Sequence, residues 1–164
     1  MAIVNELQTV LACDQVSMGM LKGARSMPRV RLLALSYSAW FKRRSALAES
    51  LQAAMEECFD QGASVAVPPL PAIARAIAVA HGDHLRRSAT QHILSVPMHD
   101  DHHPVGVLTF ERRQSDRPFT EEDRLVAEAV AALVGPVMEL KRRNRRWVGG
   151  RVVDGTLHVL GVLL

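Results

Sequence analysis

Aromatic side chains make up only 4% of this sequence, and it holds just two cysteines, Cys13 and Cys58. The cysteines are too far apart for a C-x-x-C site and too few for a disulfide framework, so a reducing compartment with both thiols free is expected. Also missing is a charged leader followed by an apolar run and a small-residue cleavage site, so secretion is not expected. No internal repeat or low-complexity tract appears. What remains is 164 residues, 48% hydrophobic and 23% charged, enough for one domain with a sizeable core and a short appendage.

The net charge of +3 is unevenly spread. Lys141, Arg142, Arg143, Arg145 and Arg146 outweigh it by themselves, and the rest of the chain is slightly acidic. A solvated helix end, with cations at the negative end of the helix dipole, explains this run better than nucleic-acid binding, since no base-reading motif accompanies it.

The hydrophobic pattern gives an order of elements. Ala2 to Ala12 reads as a short amphipathic helix on Ile3, Leu7, Val10 and Leu11. Asp14 to Lys22 and Val30 to Ser38 read as an antiparallel strand pair. Ser45 opens a helix carrying Leu47, Leu51, Met55, Cys58 and Phe59, which Gly62 ends. A short strand over 63–67 leads into Pro68-Pro69-Leu70-Pro71, and 72–87 permits a helix that His81-Gly82-Asp83 would break. Ile93 to Met98 and Val105 to Phe110 are apolar throughout, as central strands of a covered sheet are. The six residues His99 to Pro104 then form their exposed connection. A last helix starts at Thr120, its N-cap, with Phe119 stapling the entry and acidic residues in the first turn. Its Val126, Val130, Leu133, Val137 and Leu140 step by four and three, a heptad-like seam, and Pro136 predicts a kink.

This order resembles a GAF domain, with the likeness carried by Ile93-Leu94-Ser95-Val96-Pro97-Met98, Val105-Gly106-Val107-Leu108-Thr109-Phe110 and Phe119-Thr120-Glu121-Glu122-Asp123-Arg124-Leu125. The resemblance covers about residues 1–145. It implies an α+β fold: a central antiparallel sheet of five or six strands, helices on both sides, and a pocket between one sheet face and the irregular middle segment. Such domains mostly sense small molecules or dimerise.

Candidate ligand contacts are Tyr37 and Trp40, flat amphipathic rings placed beside that pocket by the resemblance. To these are added His81 and His84, on one helix face in the segment that roofs it, Arg86 for an anionic ligand, and Ser95. Exposed histidines on a mobile loop are the plainer explanation of His81 and His84. His99, His102 and His103 beside Asp100 and Asp101 offer metal-ligand atoms, but adjacent turn side chains diverge, and a polar turn explains them without a metal.

No cofactor is identified, and the ligand is an unspecified small molecule. The Asn-Lys-x-x-x-Asp-like motif of cyclic-nucleotide-binding members is missing, as is a pocket cysteine for a bilin. The runner-up is a thiol enzyme similar to the free methionine sulfoxide reductases of this fold, although Cys58 shares an apolar helix face with Leu51 and Met55. A homodimer through the terminal helices is expected, using Ile3, Leu7, Val126, Val130, Leu133, Val137 and Leu140. Residues 146–164 read as an amphipathic helical tail needing a partner surface. With the basic run upstream, it leads to the expectation of a module cut from a longer protein and held at the cytoplasmic face of an inner membrane, as in receptor kinases or secretion and efflux membrane-fusion adaptors.

Overall fold

The computed structural model describes residues 7–22, 29–35, 46–113 and 117–161, with the backbone alone for 145–161. Ile3, Tyr37 and Trp40 lie outside the described residues. Strands β1 (Gln15–Lys22), β2 (Arg29–Leu35), β3 (Val65–Val67), β4 (His92–Asp100) and β5 (His103–Arg112) form one antiparallel sheet in the order β2-β1-β5-β4-β3. An N-terminal helical segment over 7–10, helices α1 (Ala46–Gln61), α2 (Val79–Arg87) and α3 (Glu121–Gly161), and a short 3-10 turn at Pro71–Ile73 complete the described architecture.

Strand periodicity decides what each sheet face buries. On β1 the even positions Val16, Met18 and Met20 join Leu94, Val96, Met98, Leu108 and Phe110 in the larger core, together with Leu7, Leu11, Ala127 and Ala131 from the flanking helical segments. The odd positions face the other way, over a smaller core of Val30, Leu51, Met55, Cys58, Val65 and Val107. Helix α1 supplies Ala48, Leu51, Ala54, Met55 and Cys58 to this second core at helical spacing. Gly62 follows at φ 60°, the left-handed position that ends a helix and suits glycine.

Several boundaries differ from the sequence reading. Helix α2 begins only at Val79 and runs through His81-Gly82-Asp83 unbroken, while 71–78 holds the 3-10 turn followed by turn, bend and irregular residues. Strands β4 and β5 are longer than expected, and the connection shrinks from six residues to the pair Asp101 and His102, at φ 47° and 69°. Two consecutive positive-φ residues make the tight hairpin turn whose twist matches the strands, which Asp and His tolerate better than most side chains. The basic run does not end a helix, because α3 passes straight through it. Arg142 and Arg143 instead clasp the buried Glu139 carboxylate, and Arg143 reaches Asp100 at 3.1 Å. The start of α3 fits its forecast: the Thr120 hydroxyl accepts from the Asp123 N–H at 3.2 Å, and Asp123 accepts from the Thr120 N–H at 2.9 Å. Among the described residues, no helix is long and apolar enough to cross a membrane.

Candidate functional site

The odd-numbered face of the sheet carries a polar floor where a wholly apolar one was expected. Gln15 and Ser17 of β1 stand in register with Glu111 and Thr109 of β5, and Ser95 of β4 pairs with Thr109. Ser17, Ser95, Thr109 and Glu111 are all buried. Such groups need partners, and α2 provides them. The only buried side chains of α2 are His81 and His84, so this helix docks through imidazoles rather than through an apolar stripe.

Each histidine bridges a carboxylate and a hydroxyl. The Nδ1 of His81 lies 2.7 Å from Glu57 Oε2 on α1, and its Nε2 lies 2.8 Å from Ser95 Oγ, which is 2.9 Å from Thr109 Oγ1. A carboxylate only accepts, so Nδ1 donates to Glu57, and the neutral ring accepts from Ser95 at Nε2. Glu57 also takes the backbone N–H groups of Ala80 and His81, tying the first turn of α2 to α1. His84 places Nε2 2.9 Å from Glu111 Oε1 and Nδ1 2.9 Å from Ser50 Oγ. Glu111 further accepts from the Thr90 hydroxyl at 2.9 Å and the Gln15 amide at 2.7 Å.

Burial is the largest influence on His81 and pushes its pKa below the ordinary value, against the upward pull of Glu57. For Glu57, burial works against the charged form, but the hydrogen bonds from His81 and from the Ala80 and His81 N–H groups outweigh it and lower the pKa. Ser95, His81 and Glu57 stand in the hydroxyl–imidazole–carboxylate order of a nucleophilic triad. Ser95 and His81 have no exposed surface, so in this arrangement the row fastens a helix and offers no access to a substrate.

The next residue after Glu111 faces the opposite side. Arg112 spans both oxygens of Asp123 at 3.1 Å, donates to the carbonyls of Leu11 and Pro118, and lies 4.2 Å from the centre of the Phe119 ring. It thereby binds the end of the N-terminal helical segment to the start of α3.

His81, His84 and Ser95 thus come together, though as buried mutual partners, which overturns the expectation of exposed loop histidines. Arg86 is separate from them: its guanidinium is exposed and pairs with Asp83. His103 Nδ1 contacts the Asp101 carbonyl at 3.0 Å, and among the described residues no group of three or more His, Cys, Asp or Glu is placed to hold a metal ion. Burial raises the pKa of both thiols, that of Cys13 to about 12. Neither is a ready nucleophile near neutral pH. An open depression of about 530 Å³ lies elsewhere, lined by Gln61, Ser64 and the segment 71–76.

The expected dimer seam divides. Leu7 belongs to the domain's own core, and Val126 and Val130 pack against it, whereas Leu133, Val137 and Leu140 are exposed. Leu125 and Val10 are exposed as well.

Sequence reasoning missed Glu57, Glu111, Thr109 and Gln15. The signal available was the two-residue spacing of Gln15-x-Ser17 and Thr109-x-Glu111, which puts polar atoms on one face of two strands whose other face is apolar.

The family profile of the GAF domain matches residues 1–137, and the chain belongs to that family. Its fold is similar to that of GAF3 from Slr1393 of Synechocystis sp. in its photoproduct state, at 18% identity and a TM-score of 0.63, covering 89% of this chain and 94% of that one. A methyl-accepting chemotaxis protein fragment, residues 122 to 287, has 18% identity and a TM-score of 0.58 over 82% and 83% of the two chains. A domain of a putative two-component sensor histidine kinase from Sinorhizobium meliloti has 17% identity and a TM-score of 0.56 over 88% and 92%. No curated protein sequence matches the chain.

Proposed function

We propose that this GAF domain is a non-enzymatic input module of a larger signalling protein, with its sensing face under α2 and its output face on the exposed side of α3. The observation that carries this reading is the buried polar floor of Ser95, Thr109 and Glu111, roofed by a nine-residue helix that docks almost wholly through hydrogen bonds. A helix that short gains little stability by itself, so its position depends on those bonds and on whatever competes for them. A small molecule rich in hydrogen-bonding groups is the ligand class this floor suits. The buried, protonated thiols favour a sensor over the reductase alternative.

The opposite, exposed surface of α3 favours pairing of two copies. Leu133, Val137 and Leu140 follow the three-and-four spacing of a helical seam, and seams of this kind pack knobs into holes on a second helix. The proposal places the module at the cytoplasmic face of an inner membrane, on the support of the basic run over 141–146. Light scattering tests the pairing: the wild type is expected at twice its chain mass and Leu133→Glu/Val137→Glu at once, with Tm for the isolated fold little changed. A ligand screen by thermal shift tests the input face, with a rise in Tm that Ser95→Val abolishes as the expected result. A monomeric wild type removes the output reading, and inertness to polar small molecules removes the input reading.

A further inference from the structure

We propose that His81 is a proton-operated latch: its neutral ring holds α2 on the sheet, and uptake of one proton releases the helix, making pH itself an input to the module. The inference rests on the reading of this face as the sensing face and specifies how it is regulated.

The geometry supplies the mechanism. Both ring nitrogens of His81 are committed, Nδ1 as donor to Glu57 at 2.7 Å and Nε2 as acceptor from Ser95 at 2.8 Å. A proton taken from solvent onto Nε2 converts that acceptor into a donor. The Ser95 hydroxyl must then accept from the ring and turn its own hydrogen towards Thr109, 2.9 Å away, which must in turn accept. One proton therefore reverses the whole row, Ser95 to Thr109, in a space without exposed surface.

The charged and titratable groups that face His81 are few. Helix α1 presents Glu57, which favours the imidazolium, and α2 itself presents His84, which opposes it. Strand β5 presents Glu111, held by His84, Thr90 and Gln15. Strand β4 presents only the Ser95 hydroxyl, and β1 only the uncharged Gln15 and Ser17. Burial prevails, so the docked ring resists protonation more than a solvated one. The sign follows by linkage: the released state binds the extra proton more readily, so release is favoured as pH falls below the ordinary histidine value of about 6.5. The opening constant then rises at most about ten-fold per pH unit, the signature of one proton.

Amide exchange of the full chain between pH 7.5 and 5, corrected for intrinsic rates, measures it. Protection of residues 79–87 is expected to be flat above about pH 6.5 and to fall by up to about ten-fold per unit below it, with residues 93–110 unchanged. His81→Gln is expected to abolish the slope, while His84→Gln loosens α2 at every pH and keeps the slope. A flat wild type, or a slope that survives in His81→Gln, overturns the latch. Should His81→Gln fail to fold, the wild-type His81 ring resonance decides: titration coincident with loss of α2 protection supports the latch, and titration while α2 stays protected overturns it. A wild type that shows no slope yet still gives the Ser95-dependent thermal shift removes the latch and leaves the sensing-face reading intact.

Discussion

At Gly135 the absence of a side chain has a clear use. A Cβ there would collide with the backbone carbonyl of His99, where β4 shifts register against β5 and α3 packs directly on the strand backbone. The same face of α3 buries Ala131 one turn before and Glu139 one turn after, so the helix cannot roll away to make room. Gly135→Ala should lower stability in chemical denaturation by about 1–3 kcal/mol, the usual cost of overpacking, although alanine is the better helix former. A stabilised variant would show that the helix has slack at this crossing. Glu111 illustrates the opposite case, a side chain that cannot be spared. Its removal leaves the His84 ring N–H and the buried Thr90 hydroxyl without that acceptor, and buried donors in that condition are expensive.

Among elements, those held by apolar periodicity were the legible ones. Strands β1, β4 and β5 and helices α1 and α3 could be placed because Val16, Met18 and Met20, or Leu51, Met55 and Cys58, repeat at the right period. Helix α2 was not, since its anchors are histidines whose meaning depends on partners distant in sequence: Glu57 is 24 residues before His81, and Glu111 is 27 after His84. Local pattern cannot reveal such pairs. The two-residue hairpin turn escaped for a similar reason, since His99, Asp100, His103 and Pro104 look like loop residues and are strand residues by pairing. Arg112 lies beyond the apolar run that marks β5 in the sequence, yet it joins three elements. Arg112→Lys keeps the charge and loses the planar fork, so bonds to Asp123, Leu11 and Pro118 cannot all survive. Amide exchange over 7–14 and 117–124 should accelerate in that variant, while α1 keeps its protection.

For the molecule as a whole, acid should act in two stages. Burial disfavours the charged form of Asp123, but hydrogen bonds from Arg112 and the Thr120 N–H overcome it and hold the pKa low. Arg142 and Arg143 lower the pKa of Glu139. Carboxylates with depressed folded-state values stabilise the protein above their unfolded values, near 4, and that contribution fades as pH falls further. The denaturation midpoint should therefore ease downward from about pH 6.5, where the buried His81 begins to cost stability, and drop steeply only below about pH 4–5, whereas protection of α2 is lost in the first stage. A single transition for α2 and the sheet would contradict this separation.

Glu111 and Arg112 are neighbours in one strand, and the peptide between them is the full thickness of the sheet. The roof helix pulls on one of these residues and the start of the long helix hangs on the other, so at this point the two faces of the sheet share a single fulcrum. Because β5 is bonded to β1 on one edge and β4 on the other, any tilt of this part of the sheet that shifted Glu111 against His84 would shift Arg112 against Asp123 as well. Transmission across this domain would then require no travelling loop and no path around the sheet's edge. It would work as a balance beam does, with the two pans carried by consecutive residues.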